Sequence, residues 1–147
     1  MREAVQRVGV SLLGAPLDAP IREPEYRRAF VALVQEQPDA LIVHDSAENF
    51  TYGGLIIELA EKARLPVLYP ERMFVEAGGL LSYGADYLDL YRHAAQQIGH
   101  VLNGAKPGEI PFYQTARFKL IINSKAARAL GLTLPASLFA RADEVIE

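Results

Sequence analysis

Short apolar runs alternate along the chain with longer segments in which apolar residues recur at helical spacing. Runs of this length, bounded by glycine, proline or polar residues, are typical of buried strands. We predict strands at residues 8–13, 40–43, 66–69, 80–83 and 118–122. Because helical segments separate most of these runs, the pattern predicts an α/β fold, a three-layer Rossmann-like parallel sheet with helices on both faces.

The helical segments are marked by capping residues and by proline and glycine at their ends. Pro24 suits the first turn of a helix that Pro38 closes, and a second helix begins near Asn49. The other predicted helical segments are 71–76, 86–103, 125–130 with Ser124 as its cap, and a short one near Pro135. The clearest is 86–103, because its large apolar residues share one face. These residues are Leu88, Tyr91, Ala95, Ile98 and Leu102.

Composition narrows the class of protein. Of the 147 residues, 50% are apolar and 22% are charged, with a net charge of −3, which is typical of one globular domain. The chain has no cysteine, so disulfides, thiolate zinc sites and a cysteine nucleophile are excluded. Acidic residues (18) outnumber Lys and Arg (15), which argues against a nucleic-acid partner. No apolar run reaches the ~20 residues of a membrane span, and the polar first residues carry no recognisable export signal.

Polar and aromatic residues follow several of the predicted strands, at the end of a parallel sheet where ligands bind. The candidate ligand-binding residues are Asp45, Ser46, Tyr69, Tyr83 and Asp86. The carboxylates suit a ligand ammonium, and the tyrosine rings offer flat surfaces for stacking. Helix N-termini nearby suit a ligand carboxylate. Together these groups predict a site for a small zwitterion such as an amino acid.

Each candidate also has a purely structural explanation. Asp86 is a preferred helix cap, Asp45 is common in turns, and the two tyrosines suit core packing. His44 joins Asp45 and Ser46 in a run of the three triad residue types, but consecutive residues do not converge as a catalytic triad does. Metal-ligand spacings and nucleotide-binding glycine motifs are absent, so we expect no metal and no cofactor.

A more specific signal comes from the order of motifs in the second half of the chain. The motifs are Phe74-Val-Glu-Ala-Gly-Gly-Leu-Leu-Ser-Tyr-Gly84, Asp86-Tyr-Leu-Asp-Leu-Tyr91, Leu102-Asn-Gly-Ala-Lys-Pro107, Phe118-Lys-Leu-Ile-Ile-Asn-Ser-Lys-Ala-Ala-Arg-Ala-Leu-Gly-Leu-Thr-Leu-Pro135 and Arg141-Ala-Asp-Glu-Val145. In this order they resemble the C-terminal half of ABC-transporter substrate-binding proteins related to tryptophan- and tyrosine-binding proteins. The resemblance covers nearly the whole chain.

The resemblance implies one lobe of a type I periplasmic-binding-protein fold, in which a ligand is held in the cleft between two lobes. It further implies a non-catalytic, periplasmic component of an importer that delivers an amino acid or similar molecule to an ABC permease. On this lobe, the cleft side would carry Asp45, Ser46, Tyr69, Tyr83 and Asp86.

The family's first lobe and export signal are not recognised here, so we expect residues 1–147 to form a single α/β lobe. In two-lobe relatives the segment 86–122 crosses toward the first lobe, so we expect the apolar face of the helix 86–103 to be exposed. Because large exposed apolar patches mark partner sites, we predict self-association through this helix. A stand-alone cytoplasmic sensor domain of the same fold is the alternative function. A small α/β enzyme is disfavoured, since no nucleophile or metal motif is present.

Overall fold

The computed structural model describes Arg7 and residues 9–147, which belong to two units, Met1–Val67 and Leu68–Glu147. In the first unit, α1 (Glu23–Gln35) packs on α3 (Gly53–Lys62). Between them along the chain lie β1 (Leu41–Ile42) and α2 (Ala47–Thr51). The apolar core of this unit consists of Tyr26, Ala29, Phe30, Leu33, Val43, Ile56, Ala60, Leu65 and Val67. The helix predicted to start at Pro24 is therefore confirmed, with its apolar stripe on the core side.

Two predictions for the first unit are wrong. Of the predicted strand at residues 8–13, Val8 lies outside the described residues, and residues 9–13 form no strand. Val10 and Leu13 are half exposed; a strand needs a neighbouring ladder for its backbone groups, and apolar content alone does not supply one. The helix predicted near Asn49 is two helices, because at Tyr52 the backbone leaves helical geometry, with φ −100° and ψ 19°.

The second unit begins within β2 (Val67–Tyr69), whose first residue still belongs to the first unit. It continues through α4 (Arg72–Glu76), β3 (Leu81–Ala85), α5 (Tyr87–Leu102), β4 (Phe118–Asn123), α6 (Ser124–Ala129), α7 (Ala136–Phe139) and β5 (Glu144–Ile146). A single 3₁₀ turn, Pro107–Glu109, follows α5. Within this unit the strands are hydrogen-bonded in the order β2-β3-β4-β5.

The predicted parallel sheet is confirmed as mostly parallel, and one pairing differs from it. The pairs β2–β3 and β4–β5 are parallel, but β3 and β4 are antiparallel, with Gly84 opposite Lys119 and Ala85 opposite Phe118. The backbone N–H of Asp86 extends this ladder by donating to the carbonyl of Arg117 at 3.0 Å. The chain thus re-enters the sheet at the end where it left, which is the geometry of an antiparallel pair.

The segment between β3 and β4 explains why the chain returns to the same end of the sheet. Helix α5 leads the chain away from β3, and the segment after it is tied back along the helix. Gln97 Nε2 donates to the carbonyl of Pro111 at 3.2 Å. The Tyr113 hydroxyl donates to Asp89 Oδ2 at 2.7 Å, and the Tyr113 ring stacks on His93 with centroids 3.7 Å apart. These contacts guide residues 103–117 back toward the start of α5.

Two smaller features also differ from expectation. Helix α6 is capped by Asn123, whose Oδ1 accepts from the Ala126 N–H at 2.8 Å, and the predicted cap Ser124 is instead the first helical residue. Strand β5 was not predicted, because three residues are too few to show a period. The predicted glycine at the end of α5 is confirmed, since Gly104 has a φ of +96°.

Gly84 lies where the backbone of β3 and the turn after β2 approach most closely. A Cβ at Gly84 would lie 1.8 Å from the carbonyl oxygen of Pro70 and 3.0 Å from its carbonyl carbon. Backbone cannot move aside as a flexible side chain can, so we expect Gly84→Ala to lower the free energy of unfolding by at least about 1–3 kcal/mol. Urea denaturation of both proteins measures this difference.

Gly99→Ala is the matched control, because a Cβ at Gly99, in the last turn of α5, meets no atom within 4 Å. Replacing this half-buried helical glycine should raise stability by about 0.5–1 kcal/mol. A Gly84→Ala protein as stable as the wild type would contradict the close approach of the two backbone segments.

Candidate functional site

A cavity of about 430 Å³ opens on one face of β3, β4 and β5. Ser82 and Gly84 of β3 pair with Ile121 and Lys119 of β4, and Ile121 is in register with Glu144 of β5. Because residues two apart in a strand share a face, these five residues form one continuous floor. Gly84 contributes no side chain, and the carbonyl of Pro70 lies directly against its backbone.

The walls come from the turn after β2 and from the first turn of α5. Pro70, Glu71 and Arg72 form one side, and Asp86, Tyr87 and Leu88 form the other. The first turn of α5 therefore borders the cavity, at the positive end of the helix dipole. The cavity thus combines apolar side chains such as Ile121 and Leu88 with groups of both charges.

Asp86 caps α5 and also forms an ion pair. Its Oδ1 accepts from the backbone N–H groups of Leu88 at 3.1 Å and Asp89 at 3.3 Å. Its Oδ2 lies 3.0 Å from Nζ of Lys119. The hydrogen bond from Lys119 is the main cause that holds the pKa of Asp86 below its usual value, and the two backbone N–H groups add to it.

Arg72 is held by two carboxylates on the other side of the cavity. Its Nε donates to Glu76 at 2.7 Å, and Nη2 donates to Glu144 at 2.9 Å, while Nη1 forms a second bond to Glu144. The bidentate bond from Arg72 lowers the pKa of Glu144, and it raises the pKa of Arg72. Asp143, also at the cavity, accepts from the Leu120 N–H at 2.8 Å and so fixes the start of β5 against β4.

The two predicted tyrosines do not line this cavity. Tyr83 is 55% exposed, and its position in β3, between Ser82 and Gly84, directs it to the opposite face of the sheet. There its ring stacks on Phe118 with centroids 5.5 Å apart. Tyr69 is only 2% exposed and stacks on Phe74. Burial favours the packing explanation for Tyr69 and raises the pKa of its hydroxyl.

Asp45 and Ser46 belong to the first unit, in the loop after β1. Ser46 caps α2, since its Oγ accepts from the Asn49 N–H at 3.2 Å. Asn49 also organises this loop, because its Nδ2 donates to the His44 carbonyl at 2.7 Å and its Oδ1 accepts from the Tyr26 hydroxyl at 2.8 Å. The loop is thus held by a buried tyrosine, and the Asp45 side chain is exposed.

Of the predicted ligand residues, Asp86 alone lines the cavity, and five other charged residues that line it are not in the predicted set. These are Glu71, Arg72, Lys119, Asp143 and Glu144. Lys119 had a signal, because it is the one charged residue in the otherwise apolar run 118–122. Its place beside Asp86 depends on the antiparallel register, which an all-parallel sheet would not give.

Two further observations bear on the kind of site. Among the residues that the structure describes, no group of three or more His, Asp or Glu side chains could hold a metal ion. Within the same described ranges, no helix is both long and apolar enough to cross a membrane.

Comparison with known proteins identifies the family. Residues 24–146 match the family model of the ABC transporter substrate binding proteins. The chain belongs to this family. Among curated proteins, none matches the chain.

Solved structures agree with this assignment to the substrate binding proteins. The chain superposes with a TM-score of 0.85 on a conserved domain protein from Vibrio cholerae O1 biovar El Tor strain N16961, at 24% identity over 98% of this chain and 47% of that one. It matches an ABC domain in complex with L-Trp from Streptococcus pneumonia equally well, at 0.85 and 25% identity, over 99% and 49%.

A third neighbour is the ligand-free, open form of a substrate binding protein with adhesive properties from Clostridium difficile. It superposes with a TM-score of 0.68 at 21% identity, over 99% of this chain and 47% of that one. The chain therefore spans about half the length of each of these structures. The α/β fold of a periplasmic-binding-protein lobe is confirmed.

The Asp86–Lys119 pair predicts a pH dependence of stability. Because the folded pKa of Asp86 lies below its usual value, the pair stabilises the fold fully above the unfolded pKa. That contribution is lost as the pH falls through the folded pKa. Asp86→Asn keeps a good cap but removes the charge, so its urea midpoint should lie below that of the wild type at pH 7, and the difference should vanish as the pH falls through the folded pKa of Asp86.

The background variant Lys119→Met tests the assigned cause. In that background the effect of Asp86→Asn at neutral pH should shrink markedly, because the main partner of the carboxylate has gone. An undiminished effect would show that the capped backbone N–H groups, rather than Lys119, hold the pKa of Asp86 down.

Proposed function

We propose that this chain is a lobe of the solute-binding component of an ABC-type importer, and that it binds an amino acid or similar small molecule without catalysis. Family membership supports the transport role. The observation that supports the ligand class is the cavity at the N-terminus of α5, where Asp86 and Lys119 offer one negative and one positive partner. A neighbour that the chain resembles over 99% of its length is a complex with L-Trp.

The cavity is suited to a zwitterion for a physical reason. Its apolar area comes from residues such as Ile121 and Leu88, and its charged groups include Lys119 of the floor and Asp86 of the wall. Small-molecule sites are commonly of this kind, an apolar surface with a few oriented polar groups. An ammonium and a carboxylate on one small ligand would each find an opposite charge there.

Asp86 is the residue of the predicted set that we place in contact with the ligand in this cavity. Tyr83 remains a proposed stacking surface on the other face of its strand, and Asp45 and Ser46 remain proposed contacts of the first unit. For Tyr69 we propose support by packing against Phe74. In the whole transporter, the ligand would be held in an interlobe cleft on the periplasmic side and delivered to the permease.

Isothermal titration calorimetry of the purified chain with L-tryptophan and the other standard amino acids tests the proposal. We expect saturable binding of at least one amino acid, and a ligand at ~100 times its Kd should stabilise the protein by about 2.7 kcal/mol in a parallel melting experiment. Asp86→Ala should weaken that binding by about tenfold or more, because a charged hydrogen bond is lost.

Asp39→Ala is the control, since Asp39 is exposed and does not line the cavity. Its affinity should equal that of the wild type. Failure of every amino acid to bind would contradict the proposed ligand class, and turnover of a bound compound would contradict the non-catalytic role.

We further propose that the chain self-associates through α5. Its apolar face is exposed in the structure, with Leu88 at 63% and Leu102 at 81%. The exposed residues follow one another at intervals of three, four, three and four positions, which is the spacing of a seam between two helices. They are Leu88, Tyr91, Ala95, Ile98 and Leu102.

Light scattering coupled to size exclusion tests this self-association. We expect a dimer for the wild type and a monomer for Ile98→Glu, because a charge in the middle of a helix seam is desolvated without a partner. Gln96→Glu changes an exposed residue of the same helix outside that face and should remain dimeric. A monomeric wild type would exclude the pairing, and a larger complex formed only with another polypeptide would assign the face to that partner.

A further inference from the structure

Lys119 and Arg72 are the two cations at the cavity, and they are held very differently. Arg72 donates to two carboxylates through several bonds, so it is fixed on both sides. Lys119 has one ion-pair contact, to Oδ2 of Asp86 at 3.0 Å. It also helps to lower the pKa of Glu144, so that carboxylate lies within its electrostatic reach. A lysine ammonium on a flexible stem can exchange such partners, whereas a guanidinium held by a bidentate bond is less free to do so.

Asp86 has one oxygen committed to the fold and one that is available for exchange. Oδ1 receives the two backbone N–H groups that begin α5. Oδ2 receives only the Lys119 ammonium in the contacts that the structure gives. A ligand ammonium can therefore replace Lys119 at Oδ2 without breaking the helix cap.

We propose that Lys119 is a specificity-determining residue, which occupies the ammonium position on Asp86 in the empty site and moves to the ligand carboxylate on binding. This inference rests on the proposed function, and it states how that site selects its ligand. The Asp86 carboxylate and the Lys119 ammonium pair with each other in the empty site. On binding they separate, so that Asp86 pairs with the ligand ammonium and Lys119 with the ligand carboxylate.

The selection follows from which charges are left without a partner. A ligand with only an ammonium displaces Lys119 and leaves that cation with only Glu144 in reach, a carboxylate that Arg72 already holds. A ligand with only a carboxylate draws Lys119 away and leaves Asp86 with a vacant oxygen. A zwitterion alone keeps all four charged groups paired, and unpaired charges in a partly desolvated site are costly. Lys119 therefore contributes to specificity chiefly by weakening the binding of ligands that carry only one of the two charges.

Three probes that differ only in their charged groups test this inference by titration calorimetry. They are L-tryptophan, tryptamine, which lacks the carboxylate, and indole-3-propionate, which lacks the ammonium. The wild type should prefer L-tryptophan over each of the others by about 10- to 100-fold. In Lys119→Met, L-tryptophan should bind about tenfold more weakly, whereas tryptamine should bind more tightly than to the wild type, because Asp86 no longer has a competing cation.

Two variants control for loss of structure. Lys119→Arg keeps a cation at this position and should retain the preference for L-tryptophan. Lys125→Met removes an exposed lysine of α6 that does not line the cavity, and it should leave all three affinities unchanged.

The outcomes separate the inference from the function on which it rests. If the wild type binds none of the three probes and no other amino acid, the proposed function fails and the inference fails with it. If the wild type binds L-tryptophan and Lys119→Met weakens all three probes alike, or none, the inference alone is overturned. The opposite changes for L-tryptophan and tryptamine are the result that only the exchange of partners produces.

Discussion

The antiparallel ladder between β3 and β4 sets Gly84 opposite Lys119 and Ser82 opposite Ile121, and the cavity is built on that register. A slip of one residue would transfer Lys119 to the other face of the sheet, where Tyr83 and Phe118 now stack. The carbonyl of Pro70 fills the position where a Cβ on Gly84 would be. The strand pairing and this close approach together bring the turn after β2, the start of α5 and a cation of β4 around one space.

Both cations around that space are paired within the second unit. Asp86 neutralises Lys119, and Glu144 neutralises Arg72 with help from Glu76. The Arg72 pairs are exposed and contribute little to stability, so their presence calls for another reason. Pairing keeps the charged side chains of the empty site in fixed positions. A small charged ligand then replaces one partner of an existing ion pair and does not meet an unpaired charge. Lys119 has fewer ion-pair contacts than Arg72, so it is the cation that a bound ligand can displace.

The helices were the most predictable part of the fold, because their caps and spacing are local. Pro24, Asp86 and Gly104 mark helix ends in the structure as in the sequence. The strands were less predictable, since a ladder depends on residues far apart. Residues 9–13 have apolar content without a partner, and the antiparallel return of β4 depends on contacts such as Tyr113 with Asp89. For the same reason Asp86 could be found from sequence, but the places of Lys119 and Arg72 at the same cavity could not.

Helix α5 links the cavity with the exposed apolar face. The helix is held mainly by polar contacts, because Asp89, its one buried residue, receives the Tyr113 hydroxyl and lies 3.6 Å from Arg117. Its apolar residues therefore add little to the stability of this unit and are open to a partner. Its first turn, fixed by the cap at Asp86, forms a wall of the cavity. A partner that covers the apolar face and a ligand that binds at Asp86 would both contact this one helix, so the residues that hold α5 in place serve both proposed roles.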